Sequence, residues 1–384
     1  MIRFTLLRFR VQAAVAAAGL LIIAIILAVT GPHLAHVYDT TLRACQQQGD
    51  CTLALGTLPP SPDGTLRALL YALVVAVPGL IGMFWGAPLA ARELEAGTFR
   101  LAWTQGITRT RWLAAKLGVI GALSMLTAEL LSLMVTWWAS PIETASMDRL
   151  APGVFHAGGI VPAGYAAFAF ALGLTAGLLT RRTLPAIAIT LVIFTAAQLA
   201  VPAFLRPQLI APVHLSSPLA IASVTQMGTA NATPAGGGTL FVQAQPDIPG
   251  AWILSSDIVT PAGRPADTLP AGQACSESHS RQACEAYIAS FHLRHSVTYQ
   301  PGSRYWALQW YETGIYLGLA LVLAGLCFLR IGPAARRPGP GIGRRRDSQR
   351  ALALARSSSP QSPPGPGVRS LARITPWDPK PAPE

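Results

Sequence analysis

The sequence predicts an all-α membrane protein with six transmembrane helices, a large loop or cap on one side of the membrane and a disordered tail. Charged residues make up 12% of the 384 positions, about half of the share usual in soluble domains. The mean hydropathy is +0.42. A chain of this composition has too little charge to cover the surface of a soluble protein. Six long apolar stretches and an uneven distribution of basic residues among the loops support the same class.

Each of six stretches is apolar over the roughly 20 residues that a membrane-spanning helix needs. They are Val11–Val29, Ala68–Leu89, Leu113–Trp138, Ile160–Thr180, Leu184–Leu205 and Tyr305–Leu329. Arg3, Arg8 and Arg10 precede the first stretch, as basic residues do in a secretory signal peptide. A signal peptide, however, has an apolar region of only about 7–15 residues followed by a small-residue cleavage site. The first stretch is longer and no clear cleavage site follows it, so we predict a retained helix.

Arginine and lysine are concentrated in alternate loops of this arrangement. Residues 1–10, 90–112 and 181–183 carry nine basic residues in 36 positions, whereas residues 31–67 and 139–159 carry three in 58. Basic loops remain in the cytoplasm, so we predict a plasma-membrane protein with both termini cytoplasmic. Four tryptophans would then form an aromatic belt at the outer ends of the third and sixth helices: Trp137, Trp138, Trp306 and Trp310.

The apolar stretches divide the chain into four parts. Residues 1–205 hold five helices and residues 305–330 the sixth. The 99 residues between them, 206–304, contain β-like runs such as Trp252–Val259 and a helical pattern near Arg281–His292. Since loops of this length are seldom bare linkers, we predict an extracytoplasmic cap or functional loop.

The last part, residues 331–384, has 11 prolines and 10 basic residues in 54 positions. It cannot bury enough apolar surface to offset the entropy lost on ordering, so we predict a disordered tail. Its cluster Arg344–Arg346 would contact anionic lipid headgroups. The positive-inside rule accounts for the net charge of +12, so we expect no nucleic-acid partner.

The cytoplasmic loop between the second and third helices is the most informative segment. Gly97 can end a helix and Thr98 can cap the next, and Phe99–Gln105 would form a short amphipathic helix. Thr108 can cap the helix that enters the membrane. The loop would follow the membrane surface with Arg109, Arg111 and Lys116 on lipid phosphates. Glu93 and Glu95 would then remain available for a protein partner.

This loop resembles that of the type-2 ABC exporter permeases. The residues that carry the resemblance are Glu93-Leu-Glu95-Ala-Gly97-Thr98, then Thr108-Arg109 and Lys116. The family pattern has Ser where Thr108 stands and Gly where Ala115 stands. The closing segment Arg304–Arg330, with Trp306, Trp310, Glu312 and Thr313, resembles the last helix of an actinobacterial branch.

The resemblance implies a permease subunit that works as one of two copies, identical or related. A coupling helix in the loop would dock on a separate ATP-binding subunit, which holds the ATP and Mg²⁺. The residues expected to couple the two subunits are Glu93, Glu95, Gly97, Thr98, Arg100 and Arg109.

The chain lacks the sequence motif that it would need to hydrolyse ATP by itself. Lys116 and Lys380 are its two lysines, and neither lies in a glycine-rich phosphate-binding loop. We therefore expect no ATPase activity and no cofactor on this chain. The His33/His36 and His292/His295 pairs have helical spacing, but solvated loop histidines explain them, so we expect no metal site. The alternative function is a non-transporting membrane sensor or assembly protein that binds a ligand through residues 206–304.

Two glutamates fall within predicted membrane helices, Glu129 in the third and Glu312 in the sixth. A charged side chain at the centre of a bilayer costs about 2.5–3.5 kcal/mol on insertion scales, so each is a functional candidate. Either could line a substrate path, or Glu129 could be protonated or paired with a neighbouring helix. Glu312, ~10 Å from the outer end of its helix, has the stronger structural explanation, because a hydrogen bond to a tryptophan or a loop would satisfy it there.

Four of the five cysteines fall outside the membrane in this topology, where oxidation can occur. Three pairings are open to them. We favour Cys45–Cys51 and Cys275–Cys284, because each closes a short loop, over pairing of the first outer loop with the cap. Cys327 lies in the sixth helix.

Overall fold

The computed structural model describes residues 2–48, 62–95, 108–146, 149–230, 239–246, 248–266, 269–270 and 280–331. Six helices in this part of the chain are long and apolar enough to cross a membrane. Their spans are Phe9–Val37, Gly64–Arg92, Thr110–Pro141, Val161–Thr180, Thr183–Leu209 and Gly302–Ile331. The prediction of six spans is confirmed, and each span overlaps its predicted stretch.

The helices of the bundle follow one another in chain order. They are α1 (Ile2–Gln48), α2 (Pro62–Ile81), a π-helix (Gly82–Gly86), α3 (Ala87–Glu95), α4 (Arg109–Ser146), α5 (Pro152–Ala157), α6 (Val161–Thr180), α7 (Thr183–Ala200), a second π-helix (Val201–Leu205), α8 (Arg206–Leu209) and α10 (Tyr305–Ile331). The helix α9 belongs to the segment between α8 and α10. Several helices extend beyond the apolar stretch, because backbone hydrogen bonds continue past the point at which hydropathy falls.

Successive spans run in opposite directions, so the bundle has two ends. One end, here called the loop end, holds Glu95, Thr108 and Thr183. The opposite end holds Leu209 and Tyr305, and it is called the insert end because the segment between these two residues, the insert, lies between the fifth and sixth spans. Side-chain contacts join like ends: Trp138 Nε1 donates to Thr30 Oγ1 at 2.9 Å, and Tyr71 donates to Glu143 at 3.0 Å, both at the insert end.

The tryptophans at the insert end do not all face outward. Trp137, Trp306 and Trp310 are exposed, as an aromatic belt requires, but Trp138 is 1% exposed. The expectation that Trp138 belongs to the belt is wrong, because this side chain packs inside the bundle and uses its indole N–H on the first span.

The fourth span is the centre of the bundle. In its most apolar 18 residues, 78% of the positions are buried, whereas the corresponding share in the first span is 6%. It is nevertheless the least hydrophobic of the six spans, and the first is the most hydrophobic. Lipid solvates apolar side chains, so small residues that let backbones approach decide which helix lies inside. The glycines and alanines of α6 have this role.

The helix of the second span does not break at Pro78-Gly79. The helix α2 continues to Ile81, and the irregular turn follows as the π-helix Gly82–Gly86. Proline removes one backbone donor, and a π-turn accommodates one extra residue in a helix. The irregularity thus lies nearer to the loop end than the proline itself.

The segment between α8 and α10, here called the insert, contains most of the β-structure. Its strands are β1 (Val213–Pro218), β2 (Val224–Ala230), β3 (Thr239–Ala244), β4 (Trp252–Val259) and β5 (Arg294–Gln300), and its helix is α9 (Arg281–Ser290). Antiparallel β1-β5-β4 and β2-β3 form two sheets. Leu240, Cys284, Ile288 and Leu293 form part of a separate small core. The all-α class therefore describes the spans and not residues 206–304.

The insert continues directly from the bundle at both of its ends. Gln300 donates through Nε2 to the carbonyl of Ile210 at 2.6 Å. Arg304 donates to the carbonyl of Ala211 at 2.7 Å and to Gln300 at 2.8 Å. These bonds hold the entry to the insert beside its exit, where the sixth span begins.

Candidate functional site

Glu95 is the last residue of α3, and its carboxylate binds the start of the fifth span. Oε1 accepts from the backbone N–H of Thr183 at 2.7 Å, and Oε2 accepts from its hydroxyl at 2.9 Å. Thr183 is the first residue of α7, and Arg182 makes no side-chain cap there. The first N–H groups of a helix lack partners within it. Glu95 therefore caps α7 from 88 positions away.

The other predicted coupling residues are only partly visible. Gly97, Thr98 and Arg100 lie outside the described residues, as does the predicted Phe99–Gln105 helix. The backbones of Glu93 and Arg109 lie in α3 and α4, but their side chains are not among those described. Their coupling roles stay predictions.

The start of α4 agrees with its expected cap. The amide of Arg111 donates to Thr108 Oγ1 at 3.4 Å, and the amide of Trp112 donates to its carbonyl at 3.1 Å. Thr108 thus caps the helix that leads into the third span.

Lys116 does not reach lipid phosphates, which is where the sequence placed it. It is 6% exposed, and its Nζ donates to the carbonyl of Leu89 at 3.4 Å. The ammonium also lies 4.0 Å from the centroid of the Trp112 ring. The lysine enters between two helices because a backbone carbonyl and an aromatic face there replace water. It ties the third span to the second.

Glycines bring the backbones of the second and fourth spans into contact. A Cβ at Gly82 would lie 2.5 Å from the carbonyl oxygen of Ala169, and one at Gly173 would overlap the carbonyl oxygen of Gly82. A Cβ at Gly177 would lie 2.5 Å from the carbonyl oxygen of Ala87. These glycines allow the two backbones to approach closely. Gly314 and Gly318 have no such neighbour within 4 Å.

A buried ion pair joins the fifth and sixth spans at the insert end. Arg206 donates through Nε to Glu312 Oε2 at 2.8 Å and through Nη2 to Oε1 at 3.0 Å. The Tyr165 hydroxyl donates to Oε1 at 2.5 Å. Arg206 is 1% exposed and Glu312 0%. The carboxylate of Glu312 is therefore satisfied within the chain, as its structural explanation required.

Aromatic rings surround the arginine of this pair. The guanidinium carbon of Arg206 lies 4.1 Å from the centroid of Phe155 and 5.8 Å from that of Trp252. Phe155 belongs to α5 and Trp252 to the insert. One guanidinium nitrogen, Nη1, is buried without a hydrogen-bond partner among the described residues. The pair thus links the spans, α5 and the insert at one point.

Gln309 holds the turn between α5 and the fourth span. Its Oε1 accepts from the amides of Ile160 and Val161 at 3.1 and 3.2 Å. Its Nε2 donates to the carbonyls of Phe155 and Gly158 at 3.1 and 3.2 Å. One fully buried side chain of the sixth span therefore satisfies four backbone groups. A polar residue next to a predicted membrane edge gave no sign of this role in the sequence.

His156 lies beside the ion pair and outside the six spans. Burial, and to a smaller extent the nearby Arg206 guanidinium, lower its pKa from 6.5 to about 3. The ring is therefore neutral at neutral pH. Its Nε2 is buried without a hydrogen-bond partner in the described part of the chain.

This histidine predicts acid sensitivity. Below the ordinary pKa of 6.5 the unfolded chain binds a proton that the folded chain excludes until about pH 3. The contribution of the neutral ring to stability is therefore complete above pH 6.5 and is lost as the pH falls from 6.5 towards 3. Between about pH 7 and pH 5.5 we expect a loss of about 1 kcal/mol from this group. Thermal unfolding of purified protein at both pH values should show a smaller loss for His156→Gln, and equal losses would contradict the assignment.

Glu129 is placed differently from Glu312. It is half-buried in the third span, and its Oε2 is buried without a hydrogen-bond partner among the described residues. No described ion pair involves it. A role in lining a substrate path stays a prediction for both glutamates, and only Glu312 has described partners, Arg206 and Tyr165.

The predicted disulfides are not tested by the described residues. The side chain of Cys45 is not described, and Cys51 and Cys275 lie outside the described part. Cys284 is disulfide-bonded, and the pairings Cys45–Cys51 and Cys275–Cys284 stay predictions. Cys327 is free and buried in the sixth span.

Sequence reasoning missed Arg206, the partner of Glu312. The arginine directly follows an apolar stretch, where a basic residue is ordinarily read as the end of a helix at the membrane surface. In the structure it continues the helix as the first residue of α8 and turns inward. A glutamate within one apolar stretch and an arginine at the end of another were the available signal.

Comparison with known proteins agrees with this arrangement. Residues 17–206, just under half of the chain, match the family described as ABC-2 membrane transporter related. The matched range runs from the first span to Arg206, the first residue of α8. Comparisons with curated proteins and with solved structures gave no match. The six apolar helices indicate a multi-pass membrane protein, and residues 17–206 are similar to the ABC-2 membrane transporter related family.

Proposed function

We propose that this chain is the permease subunit of an ATP-driven ABC exporter. The observation that carries the proposal is the family match over residues 17–206, which reaches five of the six spans. The basic loops favour cytoplasmic termini, with the insert on the outer side. The sequence of the last span, which includes the exposed Trp306 and Trp310, would place the chain in an actinobacterial branch of the family.

The loop between Glu95 and Thr108 would be the point at which free energy enters. An ATP-binding subunit, with its own ATP and Mg²⁺, would dock on this loop, and a second permease copy would complete the path. A conformational change follows only if the two states of the permease bind the partner differently. The partner must therefore grip the loop more tightly in one state.

Copurification tests this proposal. Gly97→Val should reduce the amount of ATP-binding subunit recovered with the chain by about fivefold or more, because the sequence predicts a left-handed helix end at Gly97, where a β-branched residue would be strained. The control is Asp378→Lys, which lies in the tail and should retain the subunit. Recovery of equal amounts of subunit with both variants, at matched membrane levels, would contradict docking on this loop.

A sensor or assembly protein is the second candidate function, and one observation favours it. The insert contains a half-open cavity of about 440 Å³ that includes Ile221, Ile288, His292 and Arg294 in its lining, within the size range of ligand pockets. A chain that purifies without any ATP-binding subunit and binds a ligand through the insert would favour this function.

A further inference from the structure

The hydrogen bonds of Glu95 connect the end of α3 to a span that is not its neighbour in sequence. Glu95 directly precedes residues 96–107, here called the coupling loop, which join the second span to the third in sequence. The two oxygens of Glu95, at 2.7 and 2.9 Å from Thr183, attach the end of α3 to the start of the fifth span. Because both carboxylate oxygens of Glu95 bind Thr183, the contact fixes the orientation of the carboxylate as well as its distance from α7.

The contact itself is exposed, but the helices that lead to it are tightly packed. Ala87, Ala90 and Ala91 of α3 are each 0% exposed, and a Cβ at Gly177 would meet the carbonyl oxygen of Ala87. The end of α6 and the start of α7 are joined through Arg181, whose φ of 53° makes a tight turn. A close-packed region of this kind moves as a unit rather than deforming.

The electrostatics of the contact favour the same attachment. The first turn of a helix carries partial positive charge, so a carboxylate there is stabilised. Thr183 offers both its amide and its hydroxyl, and Arg182 supplies no side-chain cap. A carboxylate bound in this way has an energetic reason to follow α7 when either element moves.

We propose that Glu95 is a positioning residue that transmits displacement of the coupling loop to the fourth and fifth spans through Thr183. The inference rests on the proposed function and identifies which spans receive the motion. It also assigns the carboxylate of Glu95 to this chain's own helix rather than to the partner's surface. If Glu95 instead contacts the partner, Thr183 has no reason to share its phenotype.

A double-mutant comparison separates these two roles. The variants are Glu95→Ala, Thr183→Val, both together, and Thr183→Ser, which restores the hydroxyl. The ATP-binding subunit is copurified with each variant in detergent and reconstituted into lipid nanodiscs. Recovery of the subunit and its rate of ATP hydrolysis per bound subunit are then measured separately.

We expect wild-type recovery of the subunit with all four variants. ATP hydrolysis should fall about tenfold in Glu95→Ala, about threefold in Thr183→Val and no further in the double variant than in Glu95→Ala. Thr183→Ser should behave as wild type. Hydrogen exchange at the amide of Thr183, measured on the purified chain, should rise in Glu95→Ala.

Several outcomes would overturn the inference. Loss of the subunit in Glu95→Ala, with both subunit and hydrolysis retained in Thr183→Val, would make Glu95 a partner contact. Additive losses in the double variant, or unchanged hydrolysis in both single variants, would show that the contact transmits nothing. If the wild-type chain recovers no ATP-binding subunit, the proposed function itself fails, and the exchange measurement then reports only on the cap.

Discussion

Replacing Glu312 with glutamine should lower the free energy of unfolding by about 3–5 kcal/mol, because removing one partner of a buried ion pair leaves the other charge uncompensated. The substitution conserves shape, so it leaves no cavity. Arg206 would keep its place at 1% exposure among aromatic rings with no carboxylate to balance it. Chemical or thermal unfolding of the purified chain in detergent would measure the loss.

Two comparisons make this expectation specific. Glu285→Gln removes the same charge from the exposed pair with Arg281, whose side chain is 70% exposed, and should cost no more than about 1 kcal/mol. The double variant Arg206→Met/Glu312→Leu should be less destabilised than Glu312→Gln, since it leaves no buried charge unpaired. A Glu312→Gln protein as stable as Glu285→Gln would show that the pair contributes little.

Gly173→Ala should also destabilise the bundle, by about 1–3 kcal/mol or more. The added methyl group would overlap the carbonyl oxygen of Gly82 and crowd the backbone of Ala87. Those atoms are backbone and cannot move aside as a flexible side chain would. The second and fourth spans would have to separate at the π-helix, and unfolding in detergent should detect the change.

Gly318→Ala is the matched control for this substitution. It makes the same change in another span, at a position where a Cβ would meet nothing within 4 Å. Its effect within this chain should be neutral or stabilising, since alanine is the better helix former. Equal losses in the two variants would mean that close backbone approach is not the cause.

The number and order of the membrane-spanning helices were predictable from local sequence. The free energy of inserting a span depends on the sum of its residues, so Val161–Thr180 could be recognised without knowledge of its neighbours. The strand Trp252–Val259 and the helix that begins at Arg281 were also predictable, because their patterns are local to each segment. The rank of the spans by burial was not predictable, because hydropathy measures preference for lipid and not for other helices.

The partners of the polar side chains lay beyond the reach of local patterns. Lys116 was expected on lipid and lies between helices, Glu95 was expected on a partner and caps α7, and Glu312 was expected to be satisfied by a nearby tryptophan or loop and binds Arg206. Each of these groups has several acceptable neighbours in a membrane protein. The choice among them depends on which helices are adjacent.

The sequence by itself thus determined a six-span membrane protein with a large polar insert before the last span. It also contained the loop motif that resembles the ABC permeases. Only the tertiary structure decided that Glu95 binds Thr183 at 88 positions' distance and that Arg206 binds Glu312 at 106. The physical reason is that hydrophobic insertion sums over neighbouring residues of one segment, whereas a buried charge is stabilised by particular atoms that only packing brings within about 3 Å.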